Sequence, residues 1–203
     1  MSKLLIATHN KAKFEEIKHF LGLLLPQAQI ISLSDLNITY EPDETGKTFF
    51  DKAKIKAEYY GKISLLPTLA DDGGLVIDSL GGEPGVKSNR WPGHRGSDKE
   101  LITYCMDRMK KIEKQNRTAR FETCLYFYDH LNKRSTFASG AVEGIISERS
   151  TKNFVLGYPY RSVFIVDGFN KFYTDLSEEE HEKINHRLKA LNQIAQKLKT
   201  WYN

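Results

Sequence analysis

Residues 4–7 form an uninterrupted apolar run, Leu4-Leu5-Ile6-Ala7, which gives way at once to Thr8-His9-Asn10-Lys11-Ala12-Lys13, after which Phe14, Ile17, Leu21 and Leu24 recur at helical spacing. A strand with no polar residue on either face belongs inside a sheet covered on both sides. The chain must therefore turn from a buried strand into a helix around Thr8 to Lys11. Unpaired backbone N–H groups and the positive end of the helix dipole gather at such a junction, and Thr8, Asn10 and Lys13 add side-chain donors and charge. An oligophosphate suits that combination, although many α/β proteins open the same way and bind nothing there.

The junction is neither of the two common nucleotide loops. It has no G-x-G-x-x-G, and the later Gly46-Lys47-Thr48 fails as a Walker ending because Glu41 stands where the first glycine is needed.

A chain of 203 residues with 40% hydrophobic content can fold as one large α/β domain or two joined lobes. Its longest apolar stretches, such as Leu21–Leu25, fall far short of the roughly 20 residues of a membrane span, and no basic n-region with an apolar signal core is seen in the sequence. A soluble cytoplasmic protein is expected, with no membrane partner. Cys105 and Cys124 lack C-x-x-C spacing and read as buried free thiols. The net charge of +4 is modest and its lysines are spread over amphipathic helices, which argues against nucleic acid and leaves room for a small polyanion.

Further along, Gln29–Leu33 reads as a second strand and Asn37–Lys47 as an acidic loop carrying Glu41, Asp43 and Glu44. Thr48 can cap a helix lined by Phe49, Ala53, Ala57 and Tyr60. Thr68–Ala70 reads as a short strand ending in Asp71-Asp72-Gly73-Gly74, with Leu75–Leu80 resuming as a strand before Gly81-Gly82-Glu83-Pro84-Gly85. Ser97 with Glu100 forms a capping box for the next helix. Arg117–Asp129 alternates and pairs with Arg134–Val142 as a hairpin, Val163–Asp167 is a late strand, and Ser177 with Glu180 caps a single final helix carrying Ile184, Leu188, Leu191, Ala195 and Leu198. The order predicts a mixed sheet with helices on both faces.

Five motifs in register, Thr8-x-Asn10-x-x-Lys13, Glu44-Thr45-Gly46-x-Thr48-Phe49, Ala53-x-x-Lys56-Ala57, Ala70-Asp71-Asp72-Gly73-Gly74-Leu75 and Gly81-Gly82-x-Pro84-Gly85-Val86-x-Ser88-x-Arg90, together with His186-Arg187, resemble the inosine triphosphate pyrophosphatase (Ham1/RdgB-like) family. The resemblance runs from about Leu4 to Leu191. It implies a single ITPase-like α/β domain over residues 1–203, an elongated mixed β-sheet with flanking helices and two lobes around a central cleft. It further implies a homodimer that uses Mg²⁺ to hydrolyse nucleoside triphosphates, typically deaminated purines such as ITP, dITP and XTP, to monophosphate and pyrophosphate. Asp72 matches the family's catalytic base, Glu44 and Asp72 its metal carboxylates, and Lys13 and Lys56 its phosphate lysines. Thr8, His9 and Asn10 match its phosphate loop, while Gly73, Tyr158, His186 and Arg187 complete the substrate-binding set.

The residue chemistry agrees with that reading. Attack of water on phosphorus needs a metal to gather anionic oxygens, cations to neutralise charge, and a carboxylate to orient or deprotonate the water. Carboxylates are the hard donors Mg²⁺ takes. Each residue also has a plainer alternative: Asp-Asp-Gly-Gly is good turn chemistry, Lys13 and Lys56 could be exposed helix lysines, His186 and Arg187 could lie on a solvated helix face, and Tyr158 could be a packed aromatic.

The departures from the family are not scattered evenly: the phosphate and metal groups survive, and base-facing groups have changed. Lys52 stands where the family has Asn, Gly73 where it has Ser, His181 where it has Lys, and Asn185 where it has Ser. The base-holding Gly-Phe-Gly-Tyr-Asp-Pro is replaced by a longer Val155–Ser162 segment without the Asp. Altered base preference, toward pyrimidine or modified triphosphates, is therefore the alternative, as is a binding protein with impaired catalysis. Arg161 either offers a new donor fork or points to solvent.

Overall fold

The computed structural model describes residues 3–43 and 45–202. Strands β1 (Lys3–Ile6), β2 (Gln29–Ser32), β3 (Thr68–Ile77), β4 (Thr118–Asp129), β5 (Arg134–Ile146), β6 (Phe164–Val166) and β7 (Lys171–Phe172) make one mixed sheet in the order β2-β1-β3-β4-β5-β6-β7. The helices are α1 (Lys11–Leu24), α2 (Phe49–Ser64), α3 (Asp98–Met109), α4 (Glu178–Ile184) and α5 (His186–Tyr202). This is the α/β fold expected, a mixed sheet with flanking helices. The chain divides into two compact units: Met1–Asp72 with Thr123–Gly140 and His186–Asn203, and Gly73–Glu122 with Ala141–Asn185. Among the described residues, no helix is long and apolar enough to cross a membrane.

In the first unit β1 runs parallel to β2 and to β3, with Leu5 opposite Ile31 and Thr68, and Ile6 opposite Leu69. Successive strand residues face opposite sides, so the apolar run of β1 feeds two cores at once. Leu4 and Ile6 join Leu69, Leu125 and Phe127 under Ile17 and Leu21 of α1 and Leu191 and Ile194 of α5. Leu5 and Ala7 join Ala70, Cys124 and Tyr126 under Ala53, Ala57 and Tyr60 of α2. The side of the sheet is thereby set for every later residue of β3.

In the second unit β5, β6 and β7 pair antiparallel, with Ile145 opposite Ile165 and Ile165 opposite Phe172. Its core gathers Leu75, Ile77, Leu101, Cys105, Met109, Phe121, Val142 and Phe164. Helix α3 opens on the Ser97–Glu100 capping box, and buried Arg117 closes its end by donating to the Met109 carbonyl at 2.6 Å and the Ser147 carbonyl at 2.8 Å. Both cysteines are buried free thiols. Burial pushes the Cys105 thiol up to about 12, and burial likewise raises that of Cys124.

Two sequence expectations are corrected here. Asp71-Asp72-Gly73-Gly74 is not a turn between strands: β3 continues through it to Ile77, and Asp78–Leu80 is a short 3₁₀ helix rather than strand. Gly74 serves close approach instead of turning, since a Cβ there would lie 2.1 Å from Ser88 Oγ and 2.9 Å from the Gly85 carbonyl. The turn conformation falls on Gly81 and Gly82, at φ of 63° and 88°. Likewise the last helix is not single. Asn185, at ψ 117°, separates α4 from α5 after its N–H closes α4 on the His181 carbonyl at 2.9 Å.

Candidate functional site

The buried strand β1 delivers Thr8, His9 and Asn10 to the start of α1. Asn10 caps the helix, its Oδ1 accepting from the Lys13 N–H at 3.1 Å, and Thr8 Oγ1 accepts from the Asn10 N–H at 3.2 Å. His9 Nε2 lies 3.2 Å from the Tyr60 hydroxyl and 3.3 Å from the Tyr40 carbonyl, which steadies the loop against α2 and the acidic segment. The first turn of α1 contains Lys11 and Lys13 and no acid. That inverts the usual preference for carboxylates at a helix start and leaves the dipole's positive end reinforced rather than neutralised.

Opposite this helix start, β3 extends past the last residue of β1 at the carboxyl end of a parallel pair, where sites of α/β sheets usually form. Its next residues, Asp71 and Asp72, alternate faces as Leu69 and Ala70 do. Asp71 points to the α1 and α5 side, where Lys13 Nζ lies 2.7 Å from Oδ2 and Arg187 Nε 3.3 Å from Oδ1. Asp72 points to the α2 side and pairs with Lys56 Nζ at 2.6 Å through Oδ1. The strand therefore supplies one carboxylate to each face, each matched by a lysine from a different helix.

Asp71 is fully buried, and the hydroxyl of Thr123 on β4 donates to its Oδ1. Burial works to raise its pKa, but the charge of Arg187, then that of Lys13, and the hydrogen bonds from Lys13 and Thr123 outweigh it and hold the carboxyl well below the usual carboxylate range. Arg187 is braced from the other side by Glu16, Nη1 to Oε2 at 3.0 Å. Ion pairing thus keeps this cluster charged in a nearly water-free setting.

The profile of the Ham1 family matches residues 4–197. The chain belongs to the Ham1 family. Among its relatives, the dITP/XTP pyrophosphatase of Bacillus subtilis (strain 168) is 37% identical over 199 residues, covering 98% of each chain. The dITP/XTP pyrophosphatase of Haemophilus influenzae is 35% identical, covering 97% of this chain and 98% of the relative. Among solved structures, the Staphylococcus aureus Ham1 protein superposes with a TM-score of 0.84 at 27% identity, covering 98% of this chain and 99% of that one. A HAM1 protein from Coxiella burnetii gives the same TM-score, 0.84, at 28% identity.

Within this Ham1 fold, Thr8, His9, Asn10, Lys13, Lys56, Asp72, His186 and Arg187 all fall in the first unit, whereas Gly73 and Tyr158 fall in the second. Glu44 lies outside the described residues. His186 and Arg187 are buried rather than on a solvated face, and Gly140 permits this, because a Cβ on it would lie 2.1 Å from the His186 carbonyl. Sequence reasoning missed Glu16, Thr123 and the pairing duty of Asp71. Glu16 is three residues beyond Lys13 on the same helix face, and two consecutive strand carboxylates must point to opposite faces, so both signals were present. Thr123 had none, since only the β3–β4 neighbourhood brings it to Asp71.

The departures at Gly73, His181, Asn185 and the 155–162 segment fall in the second unit, and Lys52 falls in the first. Arg161 does not point to solvent: it is 7% exposed, with its guanidinium 3.8 Å from the centre of the Tyr158 ring and 4.7 Å from that of Tyr173. Tyr173 in turn meets the ring of His181 at 5.3 Å, and Asn185 Nδ2 lies 3.4 Å from His181 Nε2. Positions 158, 161, 181 and 185, separate in sequence, thus form one stack.

Proposed function

We propose that this chain is a nucleoside triphosphate pyrophosphatase that hydrolyses non-canonical purine nucleotides such as ITP, dITP and XTP to monophosphate and pyrophosphate, using Mg²⁺. The observation that carries this reading is the pair of consecutive carboxylates on β3, Asp71 and Asp72, each matched to a lysine from a different helix, with Lys13 at the acid-free start of α1. The names of the relatives, dITP/XTP pyrophosphatase, support the substrate class.

Asp72 accepts the proton of the attacking water as its oxygen bonds to the α-phosphorus, and the bond from that phosphorus to the bridging oxygen breaks to release pyrophosphate. Lys56, now paired with Asp72, and Lys13, now paired with Asp71, neutralise the phosphate oxygens, and Thr8, His9 and Asn10 shape the loop around them. Asp72 presents hard oxygen donors of the type Mg²⁺ takes, with Glu44 as its partner ligand. The metal would gather the anionic oxygens and stabilise the charge that develops on them. Acting in the cytoplasm as a homodimer completes the proposal.

The test is a panel of nucleoside triphosphates with Mg²⁺, pyrophosphate and orthophosphate being measured separately. Asp72→Asn keeps the shape and should lower turnover about a hundredfold or more. Orthophosphate as the released product, or unchanged turnover in the variant, would overturn the assignment.

A second reading concerns the base. Buried Arg161, rigid between two rings, favours a preference profile unlike that of a strict ITP and XTP enzyme, because a fixed donor fork selects among carbonyl edges. Arg161→Ala should then change the ratio of kcat/KM between bases, and preserved ratios would remove it.

A further inference from the structure

We propose that Thr123 and Asp71 are positioning residues for Lys13: they hold its ammonium in store and release it to the phosphate chain, with Thr123 setting how readily the release occurs. This rests on the reading of Lys13 as a phosphate ligand. The division of labour on the Asp71 carboxylate carries the argument. Its Oδ1 takes the Thr123 hydroxyl and Arg187 Nε, both from groups fixed inside the fold, while its Oδ2 faces Lys13 Nζ at 2.7 Å.

The members are also graded by depth. Side-chain exposure is 0% for Asp71, 4% for Arg187, 10% for Glu16 and 16% for Lys13, so the lysine is the end of the network that reaches solvent. A buried carboxylate that loses its only counter-charge is strongly disfavoured. Here Lys13 can turn to a phosphate without that penalty, because Arg187 and Thr123 remain on Oδ1. Arg187 in turn is held by Glu16 at 3.0 Å and does not follow Lys13.

Thr123 sits at the balance point. Its hydroxyl also lies 3.4 Å from the Asp72 carbonyl, so it registers β4 against both acidic residues of β3. Without the hydroxyl, Oδ1 loses one of its fixed donors and the carboxylate depends more on Lys13. The ammonium is then held more tightly in store, and a phosphate chain competes for it less well.

Calorimetric binding of inorganic tripolyphosphate in Mg²⁺ buffer tests this without requiring turnover, using Thr123→Val, Thr123→Ser, Lys13→Met and the double variant Lys13→Met/Thr123→Val. Thr123→Val keeps the side-chain shape and should weaken Kd about tenfold, the scale of a hydrogen bond to a charged group. Thr123→Ser restores the hydroxyl and should bring Kd back to within about twofold of the wild type. In the Lys13→Met background the valine should change Kd by less than about twofold, because no ammonium remains to be released. ITP hydrolysis by the same proteins should follow in KM, with kcat little changed. An equal loss in both backgrounds would make Thr123 a merely structural residue and overturn the proposal, as would no loss from Thr123→Val in the protein that retains Lys13, or no binding of tripolyphosphate by the wild type. Tripolyphosphate binding without pyrophosphate release from any nucleotide would instead overturn the pyrophosphatase reading, while the four Kd values still decide the role of Thr123.

Discussion

Arg187 and Arg161 are both buried, and they are held by opposite means. In the first unit Arg187 lies between the carboxylates of Asp71 and Glu16, at 3.3 and 3.0 Å. In the second, Arg161 lies against the faces of Tyr158 and Tyr173. Ion pairing in a dry setting is an all-or-none arrangement: removal of one member strands the others. Ring faces give a weaker and more forgiving hold, which loses contact area and a quadrupole attraction without stranding a charge. Of the departures read in the sequence, those at 158–162, 181 and 185 gather around Arg161, while Lys52 lies on α2 and Gly73 on β3. A phosphate chain is common to every substrate triphosphate, so its pocket tolerates little change, whereas a ring-held guanidinium can be exchanged at modest cost.

The largest expected effect follows from breaking the charged cluster. Arg187→Met should lower the stability to urea by roughly 3–5 kcal/mol, because Asp71 and Glu16 are left facing each other with Lys13 alone. Arg187→Met/Glu16→Gln should recover part of that loss by removing one of the stranded charges, a non-additivity that two independent sites would not show. Arg161→Met fills similar space and should cost about 1–2 kcal/mol. Equal losses at the two arginines would dissolve the comparison.

Acid sharpens it further. The Asp71 carboxyl has a folded-state pKa below its unfolded value of about 3.9, so the folded protein binds fewer protons than the unfolded one in that range. Its contribution to stability is fully present above about pH 4 and is lost as pH falls from there toward the folded pKa. Melting temperature should therefore decline from about pH 4 downward, and Asp71→Asn should make that decline shallower while lowering the neutral-pH value. An unchanged slope in Asp71→Asn would place the acid sensitivity elsewhere.

The fold was largely legible because its signals are local. The apolar run of β1 gives alternate residues to two cores, and Thr48, Ser97 and Ser177 each cap a helix through a capping box, with Asp51, Glu100 and Glu180 as partners. The misreadings came where a distant contact overrode local chemistry. Asp71-Asp72-Gly73-Gly74 has the composition of a turn, yet cations satisfy its carboxylates and Ser88 presses on Gly74, so the strand runs on. The periodicity of the last helix passes through Asn185 without a break, and only the backbone there reveals two helices. Lysines at 13 and 56 were visible as candidates, but their carboxylate partners were not, because an ion pair between α1 and β3 leaves no mark in sequence spacing. The same holds for the stack at Tyr158, Arg161, Tyr173 and His181.

The smallest effect, and the sharpest discriminator, comes from replacing each arginine by lysine. Lysine keeps the positive charge but loses the planar fork and its capacity to lie flat on a ring. At position 161 the charge could still point at Tyr158, so Arg161→Lys should cost only about 0.5–1 kcal/mol, the part that flat stacking adds. At position 187 one ammonium cannot span Asp71 and Glu16 as Nε and Nη1 do now, so Arg187→Lys should cost more than Arg161→Lys while remaining milder than Arg187→Met. Urea denaturation of the two lysine variants in one buffer reads the difference directly. If Arg161→Lys is the more damaging of the two, the ring-held guanidinium is the more demanding site, and the contrast between a forgiving stack and an unforgiving charge cluster is reversed.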